Sequence, residues 1–328
     1  MSSLPISSQV EVFDLRHFSA RQLRPLLERE AELWRQRLRW DYKSSTELLL
    51  QYLESRILHG FVAVDRGRVA GYTFCVYEGH KAVIGDAFAI GQNMSIDSET
   101  TRLLLVHILE MLRHTPGVER IESQLLLFDA GEFADVFKGS RFTTYPRLFL
   151  ERDLGSPLQL TSTELPPDLE LMQWATHDYQ PAAELIYTSY IDHSDALIND
   201  QYRSLHGSLR FLHNIVRFPG CGVFEPSLSW ILRDKRTRAV VGTVLSSRIA
   251  AQVAHITQLC VAPRYRGRGL GGLLLGRSGE SLSRAGFQAV SLTVTEDNQQ
   301  AVRLYNRFGF RMKHRFDAMV MQAAERLR

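Results

Sequence analysis

The sequence contains few of the features that mark secreted or metal-binding proteins. Its three cysteines, Cys75, Cys221 and Cys260, are widely spaced, form no CxxC pair and have no companion histidines. That pattern argues against a disulfide framework or a zinc site and fits a reducing compartment. The first residues carry neither a basic stretch nor an apolar core, so we expect no signal peptide and a cytoplasmic protein.

Long apolar runs and a strong charge of either sign are also missing. No run approaches the roughly 20 apolar residues that a membrane-spanning helix needs. A formal net charge of +3 is too small to indicate nucleic acid or a membrane surface as a partner. The 45% hydrophobic and 23% charged content is that of an ordinary globular protein, and 328 residues suit two domains.

The same order of predicted elements occurs twice. Residues 60–64 and 69–76 predict a β-hairpin, and residues 229–233 and 240–245 predict another. Each hairpin is followed by a further strand, a leucine-rich helix, a strand and a short helix that ends in a Phe-containing turn.

Matched residues in the two halves keep a nearly constant separation. Gly71 and Gly242 are 171 residues apart, and Phe142 and Phe310 are 168 residues apart. We interpret this as an internal duplication, with elements shared by two unrelated domains as the alternative. The expected fold class is α/β (α+β), with two tandem domains, each a bent, mixed but mostly antiparallel sheet flanked by helices.

A proline pair, Pro166-Pro167, marks the best linker, because it continues neither a helix nor a central strand. The predicted organisation is a first domain at 1–155, a linker at 156–168 and a second domain at 169–328.

A glycine-rich turn at residues 264–271 has the features of a diphosphate site. It follows a strand-like run, 255–261, and precedes a leucine-rich helix. Glycines let the backbone approach a ligand closely, and the first amides of a helix have no internal acceptors. Positive charge is added by Arg264, Arg266 and Arg268.

Other interpretations of this turn stay open. The spacing Gly267-x-Gly269-x-x-Gly272 formally satisfies the dinucleotide fingerprint, with Glu296 in a plausible ribose position. Five residues separate the strand from the first glycine, however, and too little chain follows for a full doubly wound sheet. A Walker loop is excluded because no Lys-Ser/Thr follows the glycines. A plain glycine-rich turn with surface arginines is the remaining alternative.

The turn is followed at a set distance by a second motif. Residues 264–269 read R-x-x-G-x-G, and residues 298–310 read Asn-Gln-Gln-Ala-Val-Arg-Leu-Tyr-Asn-Arg-Phe-Gly-Phe. This pair closely resembles motifs A and B of the GNAT superfamily of N-acetyltransferases, and the resemblance covers about residues 225–322. It implies acetyl-CoA as co-substrate, no metal, and a small-molecule or peptide amine as acceptor.

The resemblance also implies which residues bind the co-substrate. In the superfamily, the strand before the loop pairs with the pantetheine arm and the loop amides hold the pyrophosphate. The matching residues in this sequence are Leu259, Cys260, Val261, Arg264, Arg266, Gly267, Arg268, Gly269, Leu270, Gly271 and Asn298.

Tyr305 and His255 are the predicted catalytic residues. By resemblance, Tyr305 protonates the departing CoA thiolate, although its apolar helix face also fits a packed core aromatic. His255 lies on the strand where some relatives carry a base, and an imidazole pKa of about 6.5 suits that task. An exposed or fully hydrogen-bonded histidine is the alternative. Thr257, two residues on and expected on the same face, is a candidate for orienting a water.

The segment 187–218 corresponds by resemblance to the helices that line the acceptor site. It is rich in aromatic, histidine and acidic residues, which suggest a polar pocket, but plain surface helices are the better supported interpretation. Its histidines show no convincing metal spacing.

The first copy has lost the residues of the second motif pair. Phe137 stands where the duplication places Tyr305, and Ala130 stands in the place of Asn298. The stretch equivalent to the loop, 93–98, has no glycine or arginine, and Asp97 would repel a diphosphate. We therefore expect the first domain to be non-catalytic.

The function predicted from the sequence is an N-acetyltransferase in which an amine attacks acetyl-CoA directly. The alternatives are a non-catalytic acyl-CoA sensor and, with less support, an NAD-binding oxidoreductase.

Overall fold

The computed structural model describes residues 10–91, 94–138, 141–155 and 164–322. They divide into two compact units, which are treated separately. The first unit takes in the described residues of 10–37, 42–144 and 316–322, and the second those of 38–41 and 145–315. Each has the mixed, mostly antiparallel sheet with flanking helices that the sequence predicts.

The elements follow in chain order. The first half of the chain forms β1 (Val10–Asp14), α1 (Ala20–Leu38), α2 (Lys43–Glu54), β2 (His59–Asp65), β3 (Arg68–Glu78), β4 (Lys81–Ala89), α3 (Ser98–His114), β5 (Arg120–Gln124), α4 (Ala134–Lys138) and β6 (Phe142–Asp153). The second half forms β7 (Leu169–Gln173), α5 (Tyr179–Tyr190), α6 (Asp195–Ile198), α7 (Leu205–Arg217), β8 (Val223–Phe224), β9 (Trp230–Asp234), β10 (Val240–Ala250), β11 (Val253–Val261), α8 (Leu270–Arg284), β12 (Ala289–Thr295), α9 (Gln299–Arg307) and β13 (Arg311–Gln322).

Each unit completes its sheet with a strand from the other half of the chain. The strand order is β1-β2-β3-β4-β5-β13 in the first unit and β6-β12-β11-β10-β9-β7, with β8 beside β10, in the second. Residues 318–322 of β13 pair antiparallel with β5, and residues 147–153 of β6 pair antiparallel with β12.

The compact units therefore differ from two continuous segments, 1–155 and 169–328. Strands β6 and β13 hold equivalent places in the two repeats, so their exchange leaves the hydrophobic pattern of each repeat unchanged. A sequence pattern cannot reveal such an exchange. Of the predicted linker 156–168, residues 156–163 lie outside the described residues.

The repeated order of elements is present in the structure down to a matching irregularity. In the first unit the β3–β4 register shifts by one residue at Gly85, and in the second the β10–β11 register shifts by one residue at Thr257. Such an insertion is a β-bulge, which bends its strand and increases the local twist. On its other edge, each bulged strand pairs in parallel with its neighbour only as far as the residue before the bulge. This pairing ends at Ile84 opposite β5 and at Ile256 opposite β12.

The core of the second unit lies between α8, α9 and one face of the sheet. Leu270, Leu274 and Leu282 recur at helical spacing on α8 and are all buried in this core. Burial of one such side chain contributes roughly 1.5–3 kcal/mol. Gly242 on β10 allows the close approach, since a Cβ there would lie 3.1 Å from Leu274.

In the first unit the helix that follows the equivalent strand is capped by its own chain. Asp97 precedes α3, and its Oδ1 accepts hydrogen bonds from the amides of Glu99 (3.1 Å) and Thr100 (3.0 Å). A side-chain carboxylate therefore occupies the place that an anion would take at this helix N-terminus. Of the equivalent stretch 93–98, residue 93 lies outside the described residues.

A buried carboxyl pair crosses the core of the first unit. Glu30 on α1 is 1% exposed, accepts hydrogen bonds from Tyr72 (2.7 Å) and Trp34 (3.3 Å), and shares a further hydrogen bond with Asp86 on β4. Burial and the nearby Asp86 carboxylate hold the pKa of Glu30 well above its usual range. Burial also raises the pKa of Asp86, so the pair retains a proton between its two carboxyl groups.

We expect Glu30→Gln to remove a pH-dependent loss of stability. The unfolded chain releases the Glu30 proton near its ordinary pKa of about 4.3, whereas the folded unit keeps it to higher pH. The folded state then binds more protons, and its stability falls as the pH rises above the ordinary pKa of a glutamate. Glutamine has no ionisable proton, so the variant gains thermal stability relative to the parent as pH rises, although its amide nitrogen cannot accept a hydrogen bond as a carboxyl oxygen does. Glu28→Gln, at a carboxyl that is 63% exposed on the same helix, serves as the control. A difference in melting temperature between the parent and Glu30→Gln that is the same at every pH would contradict this assignment.

Candidate functional site

The site of the second unit is built where two neighbouring strands diverge. Strands β11 and β12 pair in parallel only from Val253 to Ile256 on β11, opposite Ala289 to Leu292 on β12. Beyond that point β11 pairs with β10 alone and β12 with β6 alone. The part of β11 from Thr257 to Val261 therefore has one edge that no described strand covers, and an extended ligand can pair with such an edge.

The three predicted pantetheine residues lie on this edge. The Leu259 carbonyl accepts a hydrogen bond from the Tyr190 hydroxyl (3.3 Å), and the Val261 carbonyl accepts one from Arg266 Nε (3.2 Å). Cys260 is buried, and burial raises the pKa of its thiol to about 12. The thiol thus stays protonated and has little nucleophilic character at neutral pH.

The glycine loop places open backbone at the start of α8. Gly267 and Gly269 adopt φ values of +77° and +76°, which side-chain-bearing residues rarely accept. Gly269 starts the helix, and no side chain caps its first amides. A Cβ on Gly267 would meet no atom within 4 Å. Uncovered amides at a helix N-terminus favour an anion.

The three arginines of the loop have different surroundings. Arg266 also donates to the Ser189 carbonyl (2.8 Å), so it ties the loop to α5. Arg268 pairs with Asp168 at 3.1 Å and lies over the Tyr265 ring. Arg264 is exposed and makes no hydrogen bond or ion pair with the residues that the structure describes. Arg264 is therefore the arginine of this loop that is most accessible to an anionic ligand.

Leu270 and Gly271 take part in packing as well as in the loop. The Leu270 side chain is 1% exposed within the core, so only its backbone can face a ligand. Gly271 faces α9, where an added Cβ would lie 3.4 Å from Leu304. The absence of a side chain at Gly271 thus serves the contact between the two helices.

Tyr305 lies on α9 with its ring in the core and its hydroxyl available. Asn298 caps this helix by accepting a hydrogen bond from the Ala301 amide (3.2 Å). The Tyr305 ring is 8% exposed and lies 5.8 Å from the Phe310 ring. Its hydroxyl makes no hydrogen bond to any residue that the structure describes. Burial, and then the charge of Asp195, raise the pKa of Tyr305, so the phenol remains a proton donor at neutral pH.

His255 is enclosed by aromatic rings. It is 6% exposed, its ring lies 5.0 Å from Trp40 and 6.0 Å from Phe149, and its Nδ1 is 2.9 Å from Ser291 Oγ. Burial, and then the positive charge of Arg147, lower the pKa of His255 to about 3. An imidazole this weakly basic gives little driving force for removing a proton from an amine. Its role as the base stays a prediction, with the packed, hydrogen-bonded histidine as the alternative.

The bulge at Thr257 changes which residue shares a face with His255. His255 lies opposite Ser247 and Gln258 lies opposite Leu245, and these two β10 residues share one face of the sheet. Gln258, and not Thr257, therefore lies on the His255 face. The Thr257 hydroxyl donates to the Leu245 carbonyl (3.2 Å). The expectation that Thr257 lies on that face was wrong, because strict alternation does not hold across a bulge.

The segment 187–218 lines the same face of the diverging strands. The Tyr190 and Tyr202 rings stack at 4.5 Å, and the Tyr202 hydroxyl donates to Gln258 Oε1 (3.3 Å). From α6, Asp195 Oδ1 accepts a hydrogen bond from Thr295 Oγ1 at the end of β12 (2.6 Å). Sequence patterns missed Gln258 and Asp195 as individual site residues. A polar residue beside a bulge and an acidic residue in a short loop helix have no distinctive local signal.

The described ranges contain neither a candidate metal site nor a membrane-spanning helix. No three His, Cys, Asp or Glu side chains come together there as a possible metal site. No helix there is both long enough and apolar enough to cross a membrane.

Comparison with known proteins agrees with this geometry. Residues 194–310 match the acetyltransferase (GNAT) family. A mycothiol acetyltransferase of Beutenbergia cavernae is 34% identical over 87 residues, a stretch that spans 26% of this chain and 29% of that relative.

Two solved structures resemble nearly the whole chain. A GCN5-related N-acetyltransferase from Sphaerobacter thermophilus matches 98% of this chain and 97% of its own, with a TM-score of 0.65 and 16% identity. A tandem GNAT protein from the clavulanic acid biosynthesis pathway matches 96% of this chain and 99% of its own, with a TM-score of 0.63 and 15% identity. At these identities the likeness shows the fold.

Residues 194–310 thus match the GNAT acetyltransferase family, and the chain has the fold of tandem GNAT structures. The family resemblance and the fold class predicted from the sequence are both confirmed.

We expect the His255 ring to stay neutral well into acid. With a pKa of about 3, its imidazole signals in carbon- and nitrogen-detected NMR keep the positions of the neutral form from pH 8 down to about pH 5. The His255→Gln variant identifies the signals by their disappearance. Movement of these signals toward imidazolium positions between about pH 7 and pH 5 would show that the ring is accessible enough to act as a base.

Proposed function

We propose that the second unit is an acetyl-CoA-dependent N-acetyltransferase that acts on a primary amine of a small molecule or peptide. The observation that carries this proposal is the free edge of β11, which leads directly into an uncapped helix start. A thioester with a long polar arm and a diphosphate has both features that this arrangement complements. Family membership of residues 194–310 supports acyl transfer as the reaction class.

The donor is expected to lie along β11 with its diphosphate at the loop. Leu259, Cys260 and Val261 offer backbone groups to the pantetheine arm, and the amides from Gly267 to Gly271 face the diphosphate. Arg264 has no competing partner among the described residues, so its charge remains for the anion. Arg266 and Arg268 support the loop through contacts with the protein while adding to the positive field.

The reaction proposed is direct attack of the amine nitrogen on the thioester carbon. Backbone amides of β11 near the bulge stabilise the oxyanion. Tyr305 gives its proton to the departing sulfur. A thiol of pKa about 8.5 and a phenol of pKa about 10 differ little, but the raised pKa of Tyr305 makes full transfer more costly by about 1.4 kcal/mol per unit. The hydroxyl therefore donates a hydrogen bond to the developing thiolate first and completes the proton transfer as the C–S bond breaks.

The chain also fits the role of an acyl-CoA sensor without turnover, and Tyr305 separates the two roles. A sensor has no use for a proton donor with an unpaired hydroxyl beside the donor site. An enzyme loses rate when that donor is removed.

We expect Gly267→Asp to abolish acetyl-CoA binding. The substitution adds a negative charge where the diphosphate binds and strains a backbone at positive φ. Titration calorimetry should show affinity reduced by at least about tenfold, or about 1.4 kcal/mol. Gly286→Asp is the matched control: it has a φ of +85° and an equally open Cβ position, but it lies after α8, away from the loop. Equal acetyl-CoA affinities in the two variants would argue against the loop as the diphosphate site, and NAD binding by the parent protein would favour the dinucleotide alternative.

We expect Tyr305→Phe to separate chemistry from binding. Loss of the proton donor lowers kcat by about 10²–10⁴-fold, while acetyl-CoA affinity stays within about threefold. The assay is release of the CoA thiol with an amine that the parent protein acetylates. Tyr179→Phe removes a hydroxyl that is already committed to the Leu209 carbonyl, and should leave kcat unchanged. Unchanged kcat in Tyr305→Phe would leave the residue with a packing role only.

A further inference from the structure

The carboxylate of Asp195 contacts the diverging strands at the end of β12. Asp195 opens α6, and its Oδ1 accepts the 2.6 Å hydrogen bond from Thr295, the last residue of β12. Its Oδ2 lies 3.5 Å from His193 Nδ1, and the His193 ring nitrogen also receives the Asp195 amide at 3.1 Å. The Asp195 side chain keeps 19% of its surface exposed, so solvent and a small acceptor can reach it.

The negative charge of Asp195 reaches the residue predicted to act as the acid. It contributes to the raised pKa of Tyr305 on α9, and also to those of Tyr202 and Tyr190. These three phenols approach from separate elements. The carboxylate and the proton donor therefore share one space at the end of β12.

A buried amide in the same space has no strong hydrogen-bond acceptor. Gln258 is 4% exposed, and its Nε2 donates to no oxygen or nitrogen acceptor among the residues that the structure describes. The Cys260 thiol beside it interacts only weakly. Leaving such a group unsatisfied costs about 1–3 kcal/mol, so its position indicates that a polar ligand completes this site.

We propose that Asp195 is the residue that receives the ammonium group of the acceptor and takes its proton, and that Gln258 donates a hydrogen bond to a polar atom of the bound substrates. This inference rests on the proposed acetyl transfer. It places the base on α6, opposite the strand where the sequence predicts His255.

Every proton that moves in the proposed reaction is carried by residues already named or released to water. The ammonium binds at Asp195 and loses one proton through Asp195 to water. The neutral nitrogen attacks, the C–N bond forms, and the nitrogen becomes acidic and gives a second proton to Asp195. The C–S bond breaks as Tyr305 protonates the sulfur, and transfer of the Asp195 proton to the Tyr305 oxygen restores both groups. The products are an amide, the CoA thiol and one released proton.

Several titratable or charged groups face Asp195 and must be separated from it. His193 lies in its own loop, Tyr190 and Tyr202 approach from α5 and from the turn before α7, and Cys260 and Tyr305 from β11 and α9. Arg147 of β6, opposite Thr295 in register, supplies the positive charge nearby. A His193→Gln variant therefore accompanies every pH series.

The test uses two nucleophiles of similar size. At pH 7.5 methylamine is almost entirely the ammonium ion, as expected for an alkylamine pKa of about 10, whereas hydroxylamine is mostly neutral. Thiol release from acetyl-CoA is followed with each probe in the full-length parent, Asp195→Asn and the control Asp192→Asn, whose exposed carboxylate lies three residues earlier. Acetyl-CoA affinity is measured separately by calorimetry.

We expect Asp195→Asn to lose about 10²–10⁴-fold of its rate constant with methylamine, with hydroxylamine turnover and acetyl-CoA affinity within about threefold of the parent. Its remaining methylamine rate should rise about tenfold per pH unit between about pH 7 and pH 9, because only the free amine reacts. His193→Gln and Asp192→Asn should show no such split between the probes.

Other outcomes are equally decisive. For Asp195→Asn, equal losses of rate with both probes, or no loss with either, would overturn the role of Asp195. A parent protein that uses hydroxylamine but not methylamine would overturn it as well. A parent that binds no acetyl-CoA, or binds it and transfers to neither probe, would overturn the acetyltransferase proposal itself. Gln258→Leu should weaken substrate use at least about tenfold without lowering thermal stability, and lost stability with unchanged kinetics would assign Gln258 to packing.

Discussion

The site depends on the separation of β11 and β12 beyond Ile256. A single extra residue at Thr257 bends β11 and ends its parallel pairing with β12. The separation leaves one edge of β11 open, and it also directs the strand into the turn that starts α8. The open edge leads directly into the uncapped helix start, and Tyr305 on α9 packs in the same hydrophobic core as Leu259 and Leu270. Each of these groups belongs to a different element, and without the separation they would not meet.

The first unit has the same bulge and the same end of parallel pairing, yet its own side chains satisfy the corresponding polar groups. Asp97 caps the helix start that is open at Gly269 in the second unit. Asp86, which has the register position of Gln258, is hydrogen-bonded to Glu30 in the core. The amide of Gln258, by contrast, has no strong acceptor. The two units thus share a scaffold, but the helix start and the register position that Asp97 and Asp86 satisfy in the first unit have no such side-chain partner at Gly269 and at the Gln258 amide in the second.

Much of the fold was predictable because its signals are local. Glycines at 267 and 269, the leucine stripe of α8 and the Asn298 cap each depend on neighbours within one or two helical turns. The duplication was visible because two similar patterns recur at a nearly constant separation. The exchange of β6 and β13 was not visible, because equivalent strands carry equivalent patterns and the pattern does not record which sheet a strand joins. The face of Gln258 was missed for a related reason, since one inserted residue reverses the alternation beyond it.

The sequence by itself determined the features on which the proposed donor site rests: a glycine-rich turn that leads into a helix, a tyrosine on a short helix further along, and the match to the GNAT acetyltransferase family. These residues lie close together along the chain, so backbone geometry and helical spacing bring them into position. Only the tertiary structure decided the acceptor side. Asp195 meets Thr295 across 100 residues and Tyr202 meets Gln258 across 56, and His255 is placed among rings that make it a weak base. Burial and long-range contacts set these properties, and neither can be read from residue spacing, because they arise only when separate elements pack together.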